Sequence, residues 1–209
     1  MAWKVIMLHL ILLVASCLVV FQVNSKRLNL SQNEFEALTG DKRFFSYLIE
    51  CALPKHTQVE IEFDSNSTIL QGHFGLAENW AEQSLSIEKQ RWVTACLLAR
   101  VNHFGTSVLI SMRTINDETY KELQPTQEEI KDFSLYEGGF YGNIFSATPW
   151  AKVCVPNRNE QVERKLIEME RICALPAYKN TKKQSISACH FIITNNCPVG
   201  EPVIHVYLK

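Results

Sequence analysis

Residues 90–102 read QRWVTACLLARVN, and within them Trp92-Val93-Thr94-Ala95-Cys96-Leu97-Leu98-Ala99 is apolar on nearly every side of a helix. A helix of that kind has no face for water, so the rest of the chain must wrap around it. The pattern predicts a buried central helix from about Leu85 to Asn102, with Gly105 as its C-terminal stop. Arg100 sits near its end, where a charge must find a counter-charge or reach water.

The flanking sequence supplies shorter elements. Asp41 can cap a helix running to about Leu53, stopped by Pro54, with Phe44, Leu48 and Cys51/Ala52 toward the core. Ser31 and Glu34 form a capping box for a helix before it. Val59 to Phe63 alternates as a half-exposed strand does, and Asp64 to Ser67 is turn chemistry that returns Thr68 to Gln71 as a hairpin. Val108 to Met112 reads as a buried strand, and Thr126 with Glu129 opens a short polar helix. Asn159 to about Ile172 is amphipathic, with Val162, Leu166, Met169 and Cys173 on one stripe. Phe191 to Thr194 and Val203 to Leu208 close the chain as strands, while Tyr178 to Ser187 lacks periodicity and reads as irregular. The expected fold is α+β, with the buried helix against a small mixed or antiparallel sheet. Residues 26–209 form a single extracytoplasmic domain in this reading.

Of 209 residues, 46% are hydrophobic and 21% charged, a balance that builds a packed core. The net charge of −1 leaves no footprint for nucleic acid. The first 25 residues differ from the rest. One lysine precedes an uncharged run from Val5 to Val23, and Val23 and Ser25 stand at −3 and −1 of a cut before Lys26. This is the pattern of an export signal. The same run is close to the length of an uncleaved membrane anchor, and Val14-Ala15-Ser16-Cys17 also matches a lipobox with Cys17 as the lipidated residue. Each reading exports the remainder, to a secreted, periplasmic or cell-surface location. The six cysteines beyond the leader, Cys51, Cys96, Cys154, Cys173, Cys189 and Cys197, are then expected to pair. Proximity in sequence favours Cys51 with Cys96, Cys154 with Cys173 and Cys189 with Cys197. There is no CxxC, HxxxH or HExxH, so no metal site is predicted and no cofactor is implied.

Candidates for chemistry are few. Glu137-Gly138-Gly139-Phe140-Tyr141-Gly142-Asn143-Ile144-Phe145 reads as a glycine loop. Its aromatic and amide groups, Tyr141 and Asn143, are candidates to stack and hold a sugar or peptide. The competing reading makes the glycines a place where backbone presses on the central helix. Glu137 and Glu50 are the acids in apolar settings, and Glu137 is the expected counter-charge for Arg100. The same groups, with His103, could instead serve as acid/base or anion-binding residues of a secreted hydrolase between the helix end and the loop. Glu78, and a metal site from His103 and His190, are weaker possibilities. The order Cys96, His190, Asn195 matches that of papain-like proteases, but the glycine-rich signature around the nucleophile is missing. No GxSxG motif is present.

The blocks QRWVTACLLARVN with Phe104-Gly105, and EGGFYGN at 137–143, preceded by Tyr47 to Pro54, resemble a group of uncharacterised exported, cysteine-rich bacterial proteins. The resemblance covers most of the chain beyond the leader. It implies export, disulfides and a shared core around these blocks, and it implies no activity. The expected function is therefore a surface, periplasmic or secreted module that binds a protein, peptide or glycan, with Arg100, Tyr141 and Asn143 as ligand contacts. Membrane attachment is expected only through residues 5–23.

Overall fold

The computed structural model describes residues 22–23, 42–63, 66–80, 82–115, 118–156, 159–179 and 182–209. The capping box at Ser31 and nearly all of the leader lie outside them. Gln22–Val23 (β1), within the expected leader, pairs antiparallel with Gln58–Phe63 (β2), which pairs in turn with Asn66–Gln71 (β3). The 58–71 hairpin is as the alternation predicts.

Helix α1 spans Lys42–Ala52. It buries Phe45, Leu48, Ile49, Cys51 and Ala52, so Leu48 and Cys51/Ala52 face the core as expected, while Phe44 is only half-buried and packs at its edge. Helix α2 spans Ile87–Arg100 and buries every residue from Trp92 to Ala99. Ser86 caps it, accepting from the Lys89 amide at 3.3 Å. It ends earlier than expected, at an extended Val101, while Gly105 (φ +65°) turns the chain four residues later.

The larger sheet has seven strands, not the small sheet expected. Its order is β4 (Ile110–Arg113), β10 (Ile204–Leu208), β5 (Leu135–Asn143), β6 (Trp150–Cys154), β9 (Ile192–Thr194), β8 (Ser185–Ser187) and β7 (Pro176–Lys179). It is mixed, because β6 and β9 run parallel and the other pairs antiparallel. Within the stretch read as irregular, Tyr178 and Lys179 on β7 pair with Ser185 and Ile186 on β8. A short helix α3 (Gln127–Asp132) follows β4, with Thr126 capping as predicted at 3.1 Å from the Glu129 amide. Helix α4 (Glu160–Glu168) lies in the crossover between β6 and β9.

EGGFYGN is therefore a central strand and not a loop. Glycine is normally depleted in strands, and within one it marks close approach of other atoms. A β-carbon on Gly139 would lie 2.6 Å from Cys154 Sγ and 3.0 Å from Cys197 Sγ; one on Gly142 would lie 3.2 Å from Leu98 Cδ1 on α2. One glycine seats a disulfide on the outer face; the other faces α2, but its tightest contact is the Trp150 carbonyl oxygen on β6, which a β-carbon would overlap. Phe140, Val153, Ile204, Val206 and Leu208 join α1 and α2 in one continuous buried cluster.

Three disulfides join the six cysteines: Cys51–Cys96, Cys154–Cys197 and Cys173–Cys189. The first is as expected. The other two replace the expected pairs, because parallel pairing of β6 with β9 sets Cys154 opposite Thr194, three residues before Cys197.

Candidate functional site

Arg100 leaves the end of α2 beside the outer side of α1. Its Nη2 donates to Glu50 Oε2 at 2.5 Å, and its guanidinium lies 4.3 Å from the Tyr47 ring centroid. Ser46 Oγ donates to the other Glu50 oxygen at 3.0 Å. The Glu50 carbonyl also receives the amides of His73 and Phe74 at 3.1 and 2.8 Å. That contact holds an imidazole and a phenyl ring, edge to face at 4.6 Å, next to the ion pair. Gly72 permits the approach, since any β-carbon there would overlap the backbone of Leu53 and Pro54.

Between these groups and the edge strand β4 lies an open groove of about 560 Å³. The helical layer stops short of β4, so half-buried Ile110 and Met112 line the groove with Val108 and Leu109. Side-chain exposure of 19% for Arg100 and 31% for Glu50 leaves both partly wet. A volume of this size is typical of small-molecule sites.

At the inner wall a second arginine behaves differently. Arg171 donates from Nε to both Glu137 oxygens at 3.2 Å and from Nη2 to Oε2 at 2.9 Å. Its remaining donors reach the carbonyls of Ala99 at 2.9 Å and Val101 at 3.1 Å. These carbonyls lie at the C-terminal end of α2, where helix carbonyls lack intrahelical partners and the dipole favours a cation. With 3% and 0% side-chain exposure, the Arg171–Glu137 pair is enclosed. The expected Arg100–Glu137 pair is thus two pairs: Glu50 serves Arg100 and Arg171 serves Glu137.

Arg171 is the residue sequence reading missed. It follows a Schellman turn at the end of α4, in which Glu170 adopts φ 58°, its amide meets the Ile167 carbonyl and the Arg171 amide meets that of Leu166. The only local signal is a charge set directly before Ile172-Cys173-Ala174.

The other predicted residues are dispersed. Tyr141 is 6% exposed, with its hydroxyl 3.1 Å from Thr194 Oγ1. Asn143 is 5% exposed; it donates to Gln90 Oε1 at 3.1 Å and accepts from the Phe145 amide at 2.9 Å. Both are satisfied inside the protein and offer no ligand surface. His103 lies in an exposed turn against Phe104, and His190 is exposed in a left-handed turn. Glu137, Asn143 and His103 are not among the residues that line the Arg100 groove. Among the described residues no group of three or more His, Cys, Asp or Glu is placed to hold a metal ion.

A second groove, of about 540 Å³, opens at the other end of α2 between Trp92, Ile115 and the 197–203 segment, with His205 among its lining residues. His205 Nδ1 lies 2.9 Å from Tyr136 Oη. Burial lowers the His205 pKa from 6.5 to about 4, so the ring is neutral at pH 7.

Compared with known proteins, the chain matches no family model, no curated protein and no solved structure. Three disulfides are compatible with an oxidising compartment. No helix among the described residues is long and apolar enough to cross a membrane.

Proposed function

We propose that the chain is an exported, disulfide-stapled binding module whose ligand sits in the groove beside Arg100. The observation that carries this reading is a partly wet ion pair, flanked by Tyr47, His73 and Phe74, open to a groove of ligand size. Glu137, one of the acids expected for a hydrolase, is enclosed and committed to Arg171, and Glu50 is held by Arg100. That arrangement supports binding over hydrolysis. Export rests on the apolar leader and the paired cysteines, and the resemblance to exported cysteine-rich bacterial proteins belongs to the same proposal.

The test is retention against turnover. The purified chain is incubated with glycan, peptide and ester libraries, with retention and no product expected. Turnover lost in Glu137→Gln or His103→Ala would favour the hydrolase instead. For export, mass spectrometry of the secreted chain should find Lys26 as the first residue and no free thiol. An acyl group on Cys17, or an intact leader, would replace the cleaved-signal reading with one of the other two.

A further inference from the structure

Taking the Arg100 groove as a binding site, we propose that its ligand is an uncharged saccharide held through two neighbouring hydroxyls. The groove discriminates against ions. A carboxylate or phosphate would meet Arg100 only beside the negative Glu50, and an ammonium would meet Glu50 only beside the positive Arg100. Arg171 adds no net charge, because Glu137 holds it. A neutral ligand incurs neither repulsion.

The hydrogen-bonding groups select among neutral ligands. A hydroxyl both donates and accepts, so adjacent hydroxyls match guanidinium N–H groups and carboxylate lone pairs set side by side. Of the five N–H donors an arginine carries, Arg100 gives one to Glu50 and has no other hydrogen-bond partner among the described residues. Stacking on Tyr47 fixes the plane of that fork before a ligand arrives. The His73 ring nitrogens and the Ser107 hydroxyl also have no hydrogen-bond partner among the described residues. Phe74, Val108 and Met112 present apolar surface to the C–H faces of a sugar ring. A peptide strand is neutral too, but its polar groups form a linear ladder. The open polar groups here are side-chain tips gathered around one ion pair.

The test uses the full chain, labelled with ¹⁵N at arginine Nε and ¹³C at methionine methyls, titrated with maltotriose, cellotriose and chitotriose. Triglycine capped by acetyl and amide groups, which carries no charge, is run in parallel with acetate and butylamine. A saccharide is expected to shift the Arg100 Nε–H and Met112 methyl signals saturably. Arg100→Lys keeps the charge and loses the fork, so it should weaken that binding about tenfold or more while lowering the thermal midpoint less than Arg100→Ala does. Glu50→Gln should admit acetate. If triglycine alone moves both signals, the saccharide assignment falls and the binding reading stands. Acetate or butylamine binding the native chain more tightly than the sugars overturns the charge argument. If no probe moves either signal, both readings fall. Undiminished sugar binding by Arg100→Lys would put the ligand elsewhere and overturn the inference.

Discussion

Arg100 and Arg171 carry the same charge and act in opposite ways, because one meets water and the other does not. Arg171→Ala removes the buried counter-charge of Glu137, which should cost about 3–5 kcal/mol. Arg100→Ala removes a partly wet pair and a stacked ring, which should cost about 1–2 kcal/mol. Urea midpoints of the two variants give the comparison, and equal losses would contradict the division into an enclosed and an open pair. His205 supplies a pH dependence. Its pKa is 6.5 in the unfolded chain and about 4 when folded, so between those values the unfolded state binds more protons. Its contribution is full above pH 6.5 and is lost as pH falls toward 4, on the order of 3 kcal/mol in all. Tyr136 bonds the ring, Arg113 is its neighbour across the strands, and Glu88 and Glu201 line the same groove. His205→Gln should flatten the fall in thermal midpoint between pH 6.5 and 4; an unchanged slope would assign it to other groups.

At the scale of elements, β5 and α2 organise the molecule. The glycines of β5 are legible in sequence as a special segment, and one of the two readings, backbone pressed against the central helix, holds only in part at Gly142, which meets β6 more closely than α2. That the segment is a strand was not legible, because glycine is a weak strand former and the reason for it here lies on other strands. Gly139→Ala tests this. The added methyl meets both sulfurs of Cys154–Cys197 and Val203 Cγ1, and should cost about 1–3 kcal/mol as overpacking. With a mild reductant to open the disulfides, thiol labelling should then detect Cys154 and Cys197 before the other four cysteines. In the native protein Cys51 and Cys96 are both fully buried between α1 and α2, whereas Cys189 and Cys197 are half-buried. Under mild reductant, alkylation followed by peptide mapping should therefore find Cys51 and Cys96 last. Early labelling of those two would mean that α1 separates from α2 before the sheet opens.

For the whole molecule, the disulfides close loops with sequence separations of 45, 43 and 16 residues. Loop-closure entropy assigns each about 3–4 kcal/mol, and together they match the whole stability of an ordinary domain. The reduced and alkylated chain should lack a cooperative thermal transition in near-ultraviolet circular dichroism; a native-like melt would show that the core suffices alone. By itself the sequence determined the α+β class, the buried central helix, the 58–71 hairpin, the cap at Thr126 and the presence of paired cysteines. The helix, the hairpin and the cap depend on residues within a few positions of one another, where periodicity and capping act, and the pairing of cysteines on their even number beyond an apolar leader. Only the tertiary structure decided which cysteines join, which acid serves which arginine, and that Tyr141 and Asn143 face inward. Those partners lie 16 to 53 residues apart. At that range the path of the chain through the seven-stranded sheet, and not any local preference, sets which side chains meet.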